Sequence, residues 1–165
     1  MPVGTLVSLE EYLNTSYDPD VEYVDGVLVE RNVGDWLPSL IQRNIVLAFG
    51  RRYPRIFAVP ELRSRTTATR YRLPDVCVLL EPPKTRYLLD AAFVAIEILS
   101  EADRMTEVLE KLQEYAANGT AHIWLIDPRL RQMFVYRQNS LVAVETALET
   151  TDPRLELTRD EAFAE

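Results

Sequence analysis

One cysteine and one histidine in 165 residues remove much of the chemistry that small proteins use to staple themselves or to hold transition metals. A single thiol cannot form an internal disulfide, and Cys77, inside the run Val76-Cys77-Val78-Leu79-Leu80, reads as a small buried hydrophobe rather than a nucleophile. His122 alone cannot anchor a multi-histidine zinc site. With no G-x-S-x-G elbow, a Ser-His-Asp triad has no nucleophile turn to use. Neither G-x-G-x-x-G nor G-x-x-x-x-G-K-[ST] occurs, so nucleotide cofactors have no phosphate loop. The longest apolar stretch falls far short of the roughly 18 to 20 residues that span a bilayer, and the first residues lack the basic-then-apolar layout of a secretory signal. The expectation is a cytoplasmic protein with no membrane contact. No internal repeat or low-complexity tract is present.

Hydrophobic residues make up 47% of the chain and charged residues 27%, which suits one α/β domain over residues 1–165 with a core that needs no staples. The net charge of −8 argues against indiscriminate nucleic-acid binding, but the charge is unevenly placed. Residues 1–42 carry eight acids and one arginine, residues 43–72 eight arginines and one acid, and residues 73–165 seventeen acids and nine bases. The middle block, Arg43, Arg51, Arg52, Arg55, Arg63, Arg65, Arg70 and Arg72 against Glu61, reads either as a footprint for a phosphate backbone or as a solvated surface. Charge alone does not choose between them.

Ser8 ahead of Glu10 and Glu11 predicts a short capped helix, and Asp25-Gly26 between β-prone residues predicts a tight hairpin. Asp35 can cap a helix through about Arg52, with Pro38 in its first turn and Leu40, Ile41, Asn44, Ile45, Leu47, Ala48 and Phe49 on the face that meets a sheet. Residues 56–66 and 71–80 read as an antiparallel hairpin around Ala68-Thr69. A strand at 92–99, a helix near 103–118 ended by Asn118-Gly119, and a strand at 122–127 stopped by Asp127-Pro128 suggest a parallel crossover. Residues 131–145 form a further hairpin around Gln138-Asn139-Ser140, and the acidic tail from Thr150 carries no clear pattern. Trp36 and Trp124 read as core aromatics, and Ser100 and Asp103 as capping residues of the helix that follows.

Within this pattern, Glu97 stands out. It lies in Ala91-Ala92-Phe93-Val94-Ala95-Ile96-Glu97-Ile98-Leu99, where a buried strand should carry a hydrophobe, and an unpartnered carboxylate there costs several kcal/mol. Asp75 sits at the mouth of a second apolar strand, Arg72-Leu73-Pro74-Asp75-Val76. Two carboxylates at one sheet edge, with the backbone carbonyl of Ile98 as a third oxygen, match what Mg²⁺ or Mn²⁺ prefers. Placed at 100° steps, Met105, Val108, Leu109, Leu112 and Ala116 form the apolar stripe of the following helix, with Glu107, Glu110 and Glu114 nearly opposite. Lys111 falls on the boundary, from which it can reach Glu97 or else pair with Glu107 on the surface.

Pro74-Asp75 followed by Glu97 resembles the PD-(D/E)xK nuclease superfamily, whose core is an αβββαβ restriction-endonuclease-like fold. More narrowly, Glu22-Tyr23-Val24-Asp25-Gly26, Arg72-Leu73-Pro74-Asp75-Val76, Ala95-Ile96-Glu97-Ile98-Leu99-Ser100, Lys111 with Tyr115, and His122-Ile123-Trp124-Leu125-Ile126-Asp127-Pro128 together resemble the bacterial Uma-type family of restriction endonuclease-like proteins. The resemblance implies a mixed central sheet flanked by helices, here with an additional hairpin. Where the motif has its lysine, two residues after Glu97, this chain has Leu99, and the resemblance makes Lys111 the migrated equivalent. Glu22 and Glu61 are supporting acids or turn and surface carboxylates. Arg72 is a phosphate ligand or an ion-pair partner.

The expected function is a Mg²⁺- or Mn²⁺-dependent endonuclease that hydrolyses phosphodiester bonds, DNA favoured. Asp75, Glu97 and Lys111 are its catalytic residues, and Asp75, Glu97 and the Ile98 carbonyl hold the metal. The resemblance further implies a 5′-phosphate product and a homodimer. The alternatives are an inactive nuclease fold that serves as a nucleic-acid-binding or protein-interaction module, with Leu99 as the record of lost chemistry, and an ordinary α/β protein whose two carboxylates point apart.

Overall fold

A computed structural model describes residues 6–31 and 34–165. Helix α1 (Leu9–Asn14) starts where the Ser8 hydroxyl accepts the Glu11 N–H at 3.1 Å. Strands β1 (Val21–Val24) and β2 (Val27–Glu30) join through Asp25 and Gly26, both at positive φ, the two-residue turn whose twist suits a hairpin. Helix α2 (Trp36–Arg52) begins at the expected Asp35, although that side chain makes no capping bond.

The two long strands expected at 56–66 and 71–80 are each broken in two. The first yields β3 (Phe57–Pro60) and β4 (Ser64–Thr67), and the second β5 (Arg70–Arg72) and β6 (Val76–Leu79). β3 pairs with β6 in one sheet while β4 pairs with β5 in another. Pro74 has no N–H for a ladder, and Glu61 turns the chain at φ 53, so both halves leave the sheet at the same level. There the Glu61 N–H donates to the Pro74 carbonyl at 3.2 Å.

β7 (Val94–Ile98), helix α3 (Met105–Ala117) and β8 (His122–Asp127) form the predicted parallel crossover. β9 (Gln132–Arg137) and β10 (Ser140–Val144) form the additional hairpin. The tail is ordered into β11 (Ala147–Glu149), β12 (Glu156–Thr158) and α4 (Arg159–Ala162), the last closed by a Thr158/Glu161 capping box. A mixed six-stranded sheet in the order β10-β9-β8-β7-β6-β3 is the centre, with an antiparallel sheet β2-β1-β5-β4 beside it. This is the α/β restriction-endonuclease-like arrangement expected from the motifs.

Strand alternation divides the core. Val94, Ile96 and Ile98 of β7 and Trp124 and Ile126 of β8 pack with Ile41, Ile45 and Phe49 of α2 and with Leu148, Leu155 and Leu157 from the tail. Ala95, Ile123 and Leu125 point the other way, onto Val108, Leu112 and Tyr115 of α3. Both faces are covered, which is why these strands read as continuous apolar runs. Glu97 therefore faces α3 together with Ala95 and Leu99.

Three expectations about side chains fail. The buried stripe of α3 is Val108, Leu112 and Tyr115, rotated from the expected one, so Met105 is exposed and Glu114 turns inward toward the second sheet. Trp124 is fully buried, but Trp36 is 74% exposed at the start of α2, where the sheet does not reach. Asp103 accepts the Ser100 N–H at 2.7 Å and steadies the loop, while the N-cap of α3 is Arg104. Among the described residues no helix is long and apolar enough to cross a membrane.

Leu112 has no solvent exposure and its truncation would open a cavity between α3 and the sheet. Leu112→Ala should lower unfolding free energy by about 3 kcal/mol, read from the urea midpoint at unchanged slope.

Candidate active site

The ladder between β6 and β7 stops at the Val76–Ile96 pair, one step short of Asp75 and Glu97. The next β7 amide on that edge, Ile98 N–H, meets the Asp75 carboxylate, whose Oδ2 accepts it at 2.7 Å. The side chain thus replaces the acceptor that a continuing strand would have supplied. Because N–H and C=O of one residue leave a strand on the same side, the Ile98 carbonyl opens toward this edge as well. The second Asp75 oxygen, Oδ1, is paired with the Arg31 guanidinium. Gln42 of α2 fixes the Asp75 backbone by donating to its carbonyl at 2.8 Å.

Glu97 answers the question its sequence context raises. Its Oε1 accepts the Tyr115 hydroxyl at 2.6 Å, and Lys111 and Arg31 stand close enough to draw its pKa down. Burial still dominates, reinforced by the like charge of Asp75, and pushes the Glu97 carboxyl up to about 8. Burial pushes Asp75 upward too, opposed by Arg31 and the Ile98 N–H. The two acids titrate as a coupled pair that carries fewer than two negative charges near neutral pH. Tyr115, buried among acids, is raised well above the ordinary phenol and stays a donor.

Lys111 does not pair with Glu107. Its ammonium reaches Glu22 at 3.1 Å, and although burial works against the charge, Glu97 and Glu22 outweigh it and keep the amine protonated. Glu22 is no surface or turn carboxylate: it is 1% exposed on β1 and also receives Arg72 at 3.1 Å and the Leu73 N–H at 3.1 Å. Arg72, also buried, places its fork on Glu114 at 2.6 and 2.9 Å, so the acids it pairs with are Glu114 and Glu22. Glu61 lies on the turn after β3 with a 55% exposed side chain and holds the second arm of Arg31 at 2.9 Å. Leu99 packs in the α3 cluster and offers no polar group.

One cleft of about 330 Å³ is lined by Glu22, Arg31, Asp75, Glu97, Ile98 and Lys111 among others. The carboxylates and lysine selected from sequence thus share a single space. Arg31, the one base in the acidic first block, was missed. The signal was that isolation, an arginine following a hairpin that otherwise exports acids. Half of the arginine-rich block is paired with acids: Arg52, Arg63, Arg70 and Arg72 are engaged by Glu161, Asp20, Asp25, Glu22 and Glu114.

The model of the family described as "Uma2: Putative restriction endonuclease" matches residues 9–162. The chain belongs to the Uma2 family. A solved structure described as "a putative nuclease belonging to DUF820 from Anabaena variabilis ATCC 29413" superposes on this Uma2 chain with a TM-score of 0.77 and 25% identity, covering 96% of this chain and 98% of that one. A DrdV–DNA complex at TM-score 0.37 and 13% identity, over 78% of this chain and 12% of that one, is too dissimilar to inform the site. No curated protein matches.

The donor set suits a hard divalent cation in composition: two carboxylates and a backbone carbonyl, all oxygen, with water completing the shell. Among the described residues no three His, Cys, Asp or Glu side chains group closely enough to form a self-sufficient metal cage. The elevated Glu97 fits a cation site nonetheless, because two neighbouring acids whose repulsion the nearby bases do not fully offset are what a bound ion relieves.

The sign of the Glu97 effect on stability follows from its proton. Between its ordinary 4.5 and about 8 the folded protein holds a proton that the unfolded chain has released, so this group's contribution falls as pH rises through that window. Glu97→Gln, which mimics the neutral form, should gain thermal stability relative to the parent between about pH 5 and about pH 9 when divalent cations are absent, measured by calorimetry.

Proposed function

We propose that this Uma2 protein is a metal-dependent endonuclease acting on phosphodiester bonds, with DNA favoured over RNA. The observation that carries the reading is the convergence of Asp75, Glu97 and Lys111 on one cleft of a nuclease-type fold. Asp75 and Glu97, with the Ile98 carbonyl, would hold Mg²⁺ or Mn²⁺. When bound, such an ion supplies Lewis acidity toward the phosphate and makes water a competent nucleophile at neutral pH.

Nine acidic and three basic residues line the cleft, so a phosphodiester is repelled unless cations offset that charge. Lys111 is the amine placed to do so from the protein side. Held by Glu22, it presents a fixed positive charge at the position where negative charge grows on the phosphoryl oxygens, and it can orient the attacking water. Tyr115 keeps Glu97 in one orientation. Leu99, which would be the lysine of the usual motif, packs against the α3 cluster instead.

A homodimer that cuts both strands, a 5′-phosphate product and a cytoplasmic location belong to the same proposal. The non-catalytic alternative draws on two observations, the apolar Leu99 and the arginine already on Asp75. One experiment separates them. The purified protein should nick supercoiled plasmid DNA with Mn²⁺ or Mg²⁺ and not with chelator, and Asp75→Asn, Glu97→Gln and Lys111→Ala should each reduce the rate about 100-fold or more. Cutting at the parental rate by Asp75→Asn would overturn the assignment, and failure of millimolar Mn²⁺ to raise the melting temperature would favour the inactive module.

A further inference from the structure

Both oxygens of Asp75 are in use, and by partners of different kinds. Oδ2 completes the edge of β7 through the Ile98 N–H, so releasing it would orphan a backbone donor. Oδ1 is held by Arg31, whose other arm rests on the exposed Glu61 at the rim of the cleft. Each Asp75 oxygen keeps a second lone pair, so what sets a cation against Arg31 is charge: an ion ligating Asp75 stands beside a guanidinium already bound there, and the two like charges compete for the one carboxylate.

Of the three bases lining the cleft, Arg31 is also the one that can let go. Arg72 is clamped between Glu22 and Glu114, and Lys111 neutralises the buried Glu22, so displacing either strands a buried acid. If Arg31 leaves, an incoming cation takes over Asp75, and what remains behind is a mostly exposed glutamate that water can solvate. The side chain of Arg31 is itself only 15% exposed, so its released guanidinium stays at the cleft, and its fork fits a phosphate as well as it fits a carboxylate.

We propose that Arg31 is an exchangeable counter-ion, on Asp75 when the site is empty of metal and passed to the substrate phosphodiester when a divalent cation claims Asp75. This rests on the metal-dependent reading above and adds to it a residue and an order of events. By reciprocity, metal and phosphodiester then strengthen each other's binding through Arg31, and removing Arg31 frees the metal site while abolishing that coupling. A residue with a merely structural role would not move the two affinities in opposite directions.

The test uses the full chain. Mn²⁺ affinity is measured by titration calorimetry, and binding of a short labelled DNA duplex by fluorescence anisotropy with and without Ca²⁺ at constant ionic strength. Arg31→Gln should bind Mn²⁺ on the order of tenfold more tightly and lose a similar factor of the Ca²⁺-induced gain in duplex affinity. Arg31→Lys keeps the charge but cannot span Asp75 and Glu61, so a smaller gain in Mn²⁺ affinity there reports the lost contact rather than the lost charge, and it serves if Arg31→Gln does not fold. Asp75→Asn should lose Mn²⁺ binding. If Asp75→Asn loses the metal while both Arg31 variants bind it no better than the parent, the exchange is wrong and the metal site stands. If Asp75→Asn binds Mn²⁺ like the parent, the metal reading itself fails.

Discussion

The buried junction at Glu22 is the constraint on which the rest of the cleft depends. One carboxylate, closed off from solvent, takes the Lys111 ammonium, the Arg72 guanidinium and the Leu73 N–H, and so ties β1, β5 and α3 to one point. A charge removed from water at this depth is tolerable only with its partners in place, and removing one partner of such a cluster typically costs about 3 to 5 kcal/mol. The four-stranded sheet is thus tied to α3 beside the cleft by ions. Arg70 and Arg72 meeting Glu114, together with Thr66 donating to it at 2.9 Å, extend the same joint along α3. That arrangement fixes where the Lys111 ammonium stands in the cleft.

Pro74 supplies the second constraint. By ending the ladder just before β6 it frees the Asp75 carboxylate to act as a strand acceptor on one oxygen and to face the cleft with the other. Neighbouring strands then place Glu97 across from it, on the face that α3 covers. The proximity of the acids and the depth at which they sit both come from the sheet. Their acidity follows: burial and mutual repulsion raise the pair, and the nearby cations limit the rise.

Much of this could be read from residues in order. Alternation and turn chemistry located α1, α2 and α3 and three hairpin turns, since Asp25-Gly26, Ala68-Thr69 and Gln138-Asn139 turn as local preference dictates. Glu97 announced itself because a charge in an apolar run demands a partner, and Asp75 because it follows Pro74 at a strand mouth. The failures share a cause. Whether residues 56–66 form one strand or two depends on which sheet each half joins, a tertiary matter that Glu61 and Pro74 decide together. The inward turn of Glu114 and the burial of Glu22 depend on Arg70 and Arg72 arriving from another sheet, so a helical wheel that scores carboxylates as solvent-seeking must misplace them. Trp36 is exposed because α2 begins before it reaches the sheet, and hydrophobicity alone carries no information about where a helix overhangs.

The packing beneath α2 bears on how the chain is made. Ile41, Ile45 and Phe49 are covered partly by Leu148, Leu155, Leu157 and Phe163, and the Asn44 amide donates to the carbonyls of Ala162 and Ala164 at 3.1 and 2.7 Å. These partners lie about a hundred positions or more downstream, so during synthesis one side of the central sheet waits uncovered until that segment has left the ribosome. The nascent protein would expose apolar surface through most of its translation.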